Sequence, residues 1–428
     1  MMAPIAAVLV HKHLAADGSH YLRQILDERS VTRIAWSRQY ANDITQWPVV
    51  LAISLGLRDV HLLSYVFGLG LVSLYPLTFL VCVVAVRGER PVLLIFPLIS
   101  IAGVNLPASG ILCGESHAMA LLAWPILFLA IRRAQLTPLE VGLLWFLLVL
   151  FTRVYEASLF PSLLFAGIFL IRLRQSEKVS PAVRQRSLWT WSVALLMSLV
   201  AIAIAAYFIV NPVNPANRSS FAEGMFKMIG NPQALVALAV AIGLSLGFVT
   251  RRLVWCWISI APIGFLFVLM VTGRGPIWLS DSFQARGLSL FLLPLLLVLA
   301  LIVSRVENMV PRVLPMVLCA YLFFAASYEI ASLPRWAAYL NDFRQELASN
   351  EGLVPLASTD IGSGWGQWAW TNPTISVLLQ SPCVRTIVQN DPSVTWQPFD
   401  PSQRLVLQDY VAYGPALHPI DPMARLCD

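Results

Sequence analysis

Long apolar runs dominate the chain, and short polar segments cut them at fairly regular intervals. Ten runs have the composition of membrane spans: 60–86, 91–109, 118–131, 139–152, 157–171, 188–210, 234–249, 253–271, 288–304 and 313–331. A helix needs ~20 apolar residues to cross the hydrocarbon layer. The third, fourth and fifth runs therefore have to recruit neighbouring residues or thin the bilayer locally. An eleventh apolar piece, 1–10, is too short to cross alone and reads as the outer half of a first span. It lacks the basic n-region and cleavage site of a signal peptide. Residues 47–57 are apolar but few, which suits an interfacial helix.

The polar connectors alternate in character. Arg87 and Arg90, Arg132 and Arg133, the run 172–186, Arg251 and Arg252, and Arg305 and Arg312 fall on one side. The positive-inside rule makes that side cytoplasmic. The opposite side receives 12–59, 110–117, 153–156, 211–233, 272–287 and the tail from 332. Every gap between basic loops adds two crossings, so the parity is consistent along the chain. The predicted fold is an all-α polytopic membrane protein of about 10–11 transmembrane helices. Its transmembrane domain covers 1–331, with a first extracytoplasmic loop at 11–59, and a small mixed extracytoplasmic C-terminal region covers 332–428. That region is too small for a large core of its own, so it is expected to pack on the membrane domain.

Composition agrees. Hydrophobic residues make up 58% of the chain and charged residues 12%, against about 25% charged in a soluble domain. Mean hydropathy is +0.72. Such a chain cannot cover a water-exposed surface, and the lipid bilayer is its first partner. The net charge of +6 is mostly arginine, the lysines being Lys12, Lys178 and Lys227. No basic cluster interleaved with aromatics points to nucleic acid. The arginine and alanine bias fits the cytoplasmic (inner) membrane of a bacterium with a GC-rich genome. Cys383 and Cys427 both fall in the outer tail, where disulfides persist, and are either bridged or two free thiols. No Cys or His spacing suggests a metal site.

No span carries a charge near its centre, which argues against an ion-driven transporter. Polarity gathers in the outer loops instead. In the first, Asp17, His20 and Tyr21 share one face of any helix formed there; Asp17 either caps that helix or acts as a general base toward a hydroxyl. In the second, Glu115 and His117 lie so close to the bilayer that they read as an acid/base pair, a substrate clamp or a solvated turn. In the third, Arg153 and Glu156 are either substrate contacts or an ion pair at a span boundary. The fourth, TGRGPIWLSDSFQARG, holds Arg274, Asp281 and Arg286, and two arginines in a Gly-rich outer loop fit phosphate binding. In the tail, Trp365, Trp368 and Trp370 offer indole faces to sugars or lipid headgroups, or else simply pack on the membrane domain.

An acid just after the first span, an amphipathic outer loop, a second acid in the next outer loop and an outer C-terminal region together resemble the GT-C superfamily. These are polytopic glycosyltransferases that use polyprenyl-phosphate sugars, such as the bacterial aminoarabinose transferase and the protein O-mannosyltransferases. The resemblance covers the topology of the whole chain and rests on DGSHYL at Asp17, on WPVVLAISLGLRDVHLLSYVFGLGL leading into the second span, and on GESHAMAL at Glu115. It implies that Asp17 is the first-loop acid that serves as catalytic base or orients the acceptor, and Glu115 the second-loop acid; His20, Arg274 and Arg286 are, by their location, the candidates for holding the lipid phosphate. It also implies an inverting transfer to a glycolipid, polysaccharide or protein acceptor on the extracytoplasmic face. The first loop departs from the pattern of metal-using members, with one acid followed by Gly in place of paired acids, so no metal cofactor is expected. Two other readings stand beside this one: an O-antigen ligase or polymerase, and a non-catalytic transporter or scaffold.

Overall fold

The computed structural model describes residues 2–15, 17–33, 36–86, 91–106, 114–132, 135–177, 180–211, 232–272, 291–306, 313–350, 352–359, 361, 371–380 and 386–389. Helices in chain order are α1 (Met2–Leu9), α2 (Asp17–Glu28), α3 (Gln39–Ser54), α4 (Val60–Val86), α5 (Ile95–Ser100), α6 (Glu115–Ile131), α7 (Pro138–Phe151) and α8 (Leu159–Ser176). Then follow α9 (Pro181–Val210), α10 (Pro232–Thr250), α11 (Leu253–Ile258), α12 (Ile260–Val271), α13 (Leu293–Arg305), α14 (Val313–Ser349) and α15 (Thr371–Gln380). Five helical segments are long and apolar enough to cross a membrane: Val60–Val86, Glu156–Ser176, Val183–Val210, Leu253–Val271 and Val313–Ser349. The other five predicted runs form shorter apolar helices, and the apolar opening forms the eight-residue α1.

Local chemistry sets the helix ends. Asp59 Oδ1 accepts the Leu62 N–H at 3.0 Å and starts α4. Thr137 and Glu140 form a reciprocal capping box at α7, with Pro138 in the first turn, where its missing N–H costs nothing. Leu69, Leu77 and Leu80 of α4 and Leu196 and Leu199 of α9 are exposed, as they would be where lipid is the solvent. The main core is buried around Trp124 and Phe128 of α6, with Phe96, Phe151, Phe165 and Phe169 packed in the same cluster. A π-turn at Ile101–Asn105 follows α5. A Cβ on its Gly103 would collide with Ala237 of α10, so glycine is what allows this close approach.

Two features depart from the sequence expectation. The last apolar run ends at 331 by hydropathy, yet α14 continues unbroken to Ser349, burying Trp336, Tyr339, Leu340, Phe343 and Leu347. These pack with Ile361, Ile375 of α15 and Val388. Strand β1 (Gly352–Pro355) pairs in parallel with β2 (Thr386–Gln389). This part of the tail is docked on the helices, as its small size predicts: Tyr339 Oη donates to Asn372 Oδ1 at 2.6 Å, and Ser19 Oγ lies 2.8 Å from Thr374 Oγ1.

The second departure concerns the start of the first loop, which is part of the interior. Lys12 is buried, with Nζ 3.1 Å from Glu329 Oε2 and 3.4 Å from Ser332 Oγ, both on α14. His11 Nδ1 and His13 Nε2 each lie 3.0 Å from Ser64 Oγ on α4. Partners of this kind are what make buried polar groups tolerable.

Candidate functional site

Amphipathic helix α2 places the first cluster. Tyr21, Leu22, Ile25 and Leu26 are buried on one side, and Leu14, Leu63, Phe67 and Leu71 share that core. Asp17 opens the helix and is half-buried. One turn on, Tyr21 Oη donates to Glu115 Oε1, the first residue of α6. Burial raises the Tyr21 pKa well above its ordinary value, and the charges of Glu115 and then Asp17 push it in the same direction. Tyr21 is therefore a fixed donor, not a phenolate. Glu115 is 1% exposed and sits where the N-terminal dipole of α6 favours a negative charge. Gly114 precedes it at φ +126°, a region that side chains rarely adopt, and a Cβ there would lie 3.1 Å from Thr45 Oγ1.

The hub of the cluster is Arg38, a residue the sequence reading did not single out. Its Nη1 lies 3.4 Å from Glu115 Oε1, and its Nε lies 3.1 Å from both carboxylate oxygens of Glu156. Ser37 Oγ donates to Glu156 Oε1 at 2.7 Å, and the Arg38 guanidinium lies 5.2 Å from the Tyr155 ring centre. Burial opposes the charge on Arg38, but the two carboxylates outweigh it, Glu156 before Glu115, and hold its pKa well above the usual guanidinium value. Arg153 staples the same segment from the other side. Its guanidinium stacks 3.8 Å from the Trp36 ring centre, Nε donates to Trp36 O at 3.0 Å, and Nη2 donates to Gln39 Oε1.

Three of the four loop clusters thus meet: Tyr21 from the first, Glu115 from the second, and Arg153 and Glu156 from the third. Their pairings differ from the expected ones. Glu156 and Arg153 reach separate partners on the 36–39 segment, so they are not paired with each other. His117 does not pair with Glu115; its Nε2 is 3.0 Å from Asn105 O, and its ring stacks on Tyr75 at 5.9 Å. It lines a cavity of ≈ 20 Å³ together with Lys12 and His13, room for about one water. His20 is neutral at pH 7, because burial and then Arg23 lower its pKa to about 4. It can offer a phosphate a hydrogen bond but no charge. Arg274, Asp281, Arg286, the three tail tryptophans and both tail cysteines lie outside the described residues. Among the described residues, no group of three His, Cys, Asp or Glu side chains converges as a metal site would.

An arginine in a predicted outer loop runs against the positive-inside bias, but Arg23, Arg29, Arg33 and Arg58 of the same loop do so too, so the sequence alone does not single out Arg38. Compared with protein-family models, curated proteins and solved structures, the chain matches none, which leaves the convergence on Arg38 as the ground on which function is read.

Proposed function

We propose that the protein is a membrane glycosyltransferase of GT-C type that moves a sugar from a polyprenyl-phosphate donor to an acceptor on the extracytoplasmic face. The observation that supports this reading is the convergence of Tyr21 of α2, the start of α6 and Glu156 on Arg38, with the half-buried Asp17 one helical turn before Tyr21. Asp17 is the catalytic base: it takes the proton of the acceptor hydroxyl as that oxygen attacks the anomeric carbon. The bond to the lipid phosphate breaks on the opposite face, and configuration inverts in one displacement. Glu115 takes a different role from that of second acid. Buried, bonded to Tyr21 and paired with Arg38, it is a positioning residue that fixes α2. The phosphate contacts are assigned to Arg274 and Arg286, with His20 contributing at most a neutral donor. Lipid-linked donors suit this face, because nucleotide sugars are confined to the cytoplasm.

The test is sugar transfer by the purified protein from a panel of polyprenyl-phosphate sugars to glycolipid, polysaccharide and peptide acceptors. Asp17→Asn should bind donor but transfer at least ~100-fold more slowly, the scale of acid–base loss. Full turnover by this variant removes the base assignment. One observation favours a second reading, a non-catalytic scaffold: every charge on Arg38, Glu115 and Glu156 is answered within the cluster. A wild-type protein that transfers from no donor in the panel would favour that reading.

A further inference from the structure

A second polar site lies at the other end of the helices that carry the Arg38 cluster. Glu115 opens α6 and Glu156 lies in the single turn just before α8; the far ends of those helices, with the starts of α7 and α9, line a cavity of ≈ 280 Å³. The 17 residues of α6 at 1.5 Å rise separate the two sites by roughly 25 Å. Arg132, Arg172, Arg186, Ser176, Thr190 and Trp191 line the cavity. We propose that it binds a phosphate-bearing anion, of which the headgroup of an anionic membrane lipid is the source best matched to its walls.

The arginines are held ready for such a ligand. Helix C-termini ordinarily repel anions, but here the arginines cover the carbonyls. Arg172 Nε donates to Ala130 O at 2.9 Å and Nη2 to Arg132 O, while its guanidinium faces the Trp191 ring at 5.6 Å. Arg186 Nη2 donates to Leu136 O at 2.9 Å. Glu140 pairs with Arg132 and offsets one of the three charges, leaving a net positive pocket. Arg132 Nε is buried and has no partner among the described residues. An orphaned buried donor is costly, and a ligand oxygen would satisfy it. Planar guanidinium forks match phosphate oxygens in pairs, and basic pockets between membrane helices are a recurrent form of lipid headgroup site.

Size and surroundings favour the lipid source. The volume is far above the ~30 Å³ share of one water and just below the usual range of small-molecule sites, which suits a headgroup. Leu136 and Val141 give it an apolar flank. Trp189, beside lining Thr190, is 64% exposed, and Leu139 is 83% exposed, the surface that an interfacial indole and an acyl chain would share.

The experiment uses the purified full chain in neutral detergent, with binding read by native mass spectrometry and by thermal stabilisation. The probes are dioctanoyl phosphatidylglycerol, dioctanoyl phosphatidylcholine and inorganic phosphate. Phosphatidylglycerol should bind at least ~10-fold more tightly than phosphatidylcholine, a difference set by net charge. Arg186→Gln, at an exposed residue whose guanidinium donates to Leu136 O, should weaken phosphatidylglycerol at least ~10-fold; Arg172→Lys should weaken it too, since it keeps the charge and loses the fork. Protection by inorganic phosphate with the same Arg186→Gln sensitivity would assign the site to soluble phosphate; protection by the lipid alone assigns it to the headgroup. Wild-type phosphatidylglycerol affinity in both folded variants, or equal binding of the two lipids, overturns the proposal.

Discussion

Replacing Lys12 with Met tests the unexpected tie between the start of the chain and α14. Lys12 and Glu329 are 1% and 4% exposed, and their charged atoms are 3.1 Å apart. At an effective dielectric of ~20, two charges at that distance attract by about 5 kcal/mol. Desolvation of both groups offsets most of that gain, so the pair adds little net stability. Removing one partner is a different matter, because Glu329 is then left buried without its lysine. Losses of about 3–5 kcal/mol are typical. The double variant Lys12→Met with Glu329→Leu removes both charges and should recover to within ~1 kcal/mol of the parent. Equilibrium unfolding in mixed neutral and anionic detergent micelles, followed by circular dichroism, measures Lys12→Met, Glu329→Leu and the double variant against the parent. A single-variant loss below ~1 kcal/mol, or a double-variant loss equal to the sum of the singles, would refute the reasoning.

Gly114→Ala should cost about 1–3 kcal/mol through its strained backbone. Because Gly114 immediately precedes Glu115, the substitution should also slow the proposed sugar transfer, whereas Gly142→Ala, in the interior of α7 where a Cβ meets nothing within 4 Å, should raise stability by about 0.4–1 kcal/mol and leave that transfer unchanged. Stability should fall on acidification from about pH 6.5 to about pH 4. His20 and His11 both have folded pKa values lowered to about 4 from 6.5, by burial first and then by Arg23 for His20 and by His61 and Arg344 for His11. The unfolded chain therefore takes up the proton first, and the stability present above pH 6.5 is lost progressively as the pH drops through that window. A pH titration of the melting temperature checks this, and substituting His20 by Gln should flatten part of the slope.

Much of the scaffold could be read from local pattern. The first of the ten apolar runs, 60–86, matches α4 at both ends, because Asp59 caps one end and the composition turns polar beyond the other. The extension of α14 was also written in the sequence. Trp336, Tyr339, Leu340, Phe343 and Leu347 recur at helical spacing, but hydropathy fades there as Arg335, Asp342, Arg344 and Glu346 appear. A span search stops where lipid stops, and an amphipathic helix does not. The Lys12–Glu329 pair was beyond such reading, since 317 positions separate the partners and neither has a local signature. The convergence on Arg38 was half-legible: the acids and bases singled out in the loops include Tyr21, Glu115, Arg153 and Glu156, which meet there, but not Arg38 itself. Which ones pair depends on how α2 and the 36–40 segment fold back over α6 and α8.

The 37 residues of α14 run for roughly 55 Å at 1.5 Å each, almost twice the ~30 Å hydrocarbon layer. About 25 Å of it must stand clear of the lipid. That free half is clasped by α15 and the small sheet, and α15 in turn grips α2 through Ser19 and Thr374. The helix is therefore a mast, with Asp17 rigged to it two residues from the grip. Asp17 and the far end of α14 are thus joined through a chain of contacts that runs by way of α15.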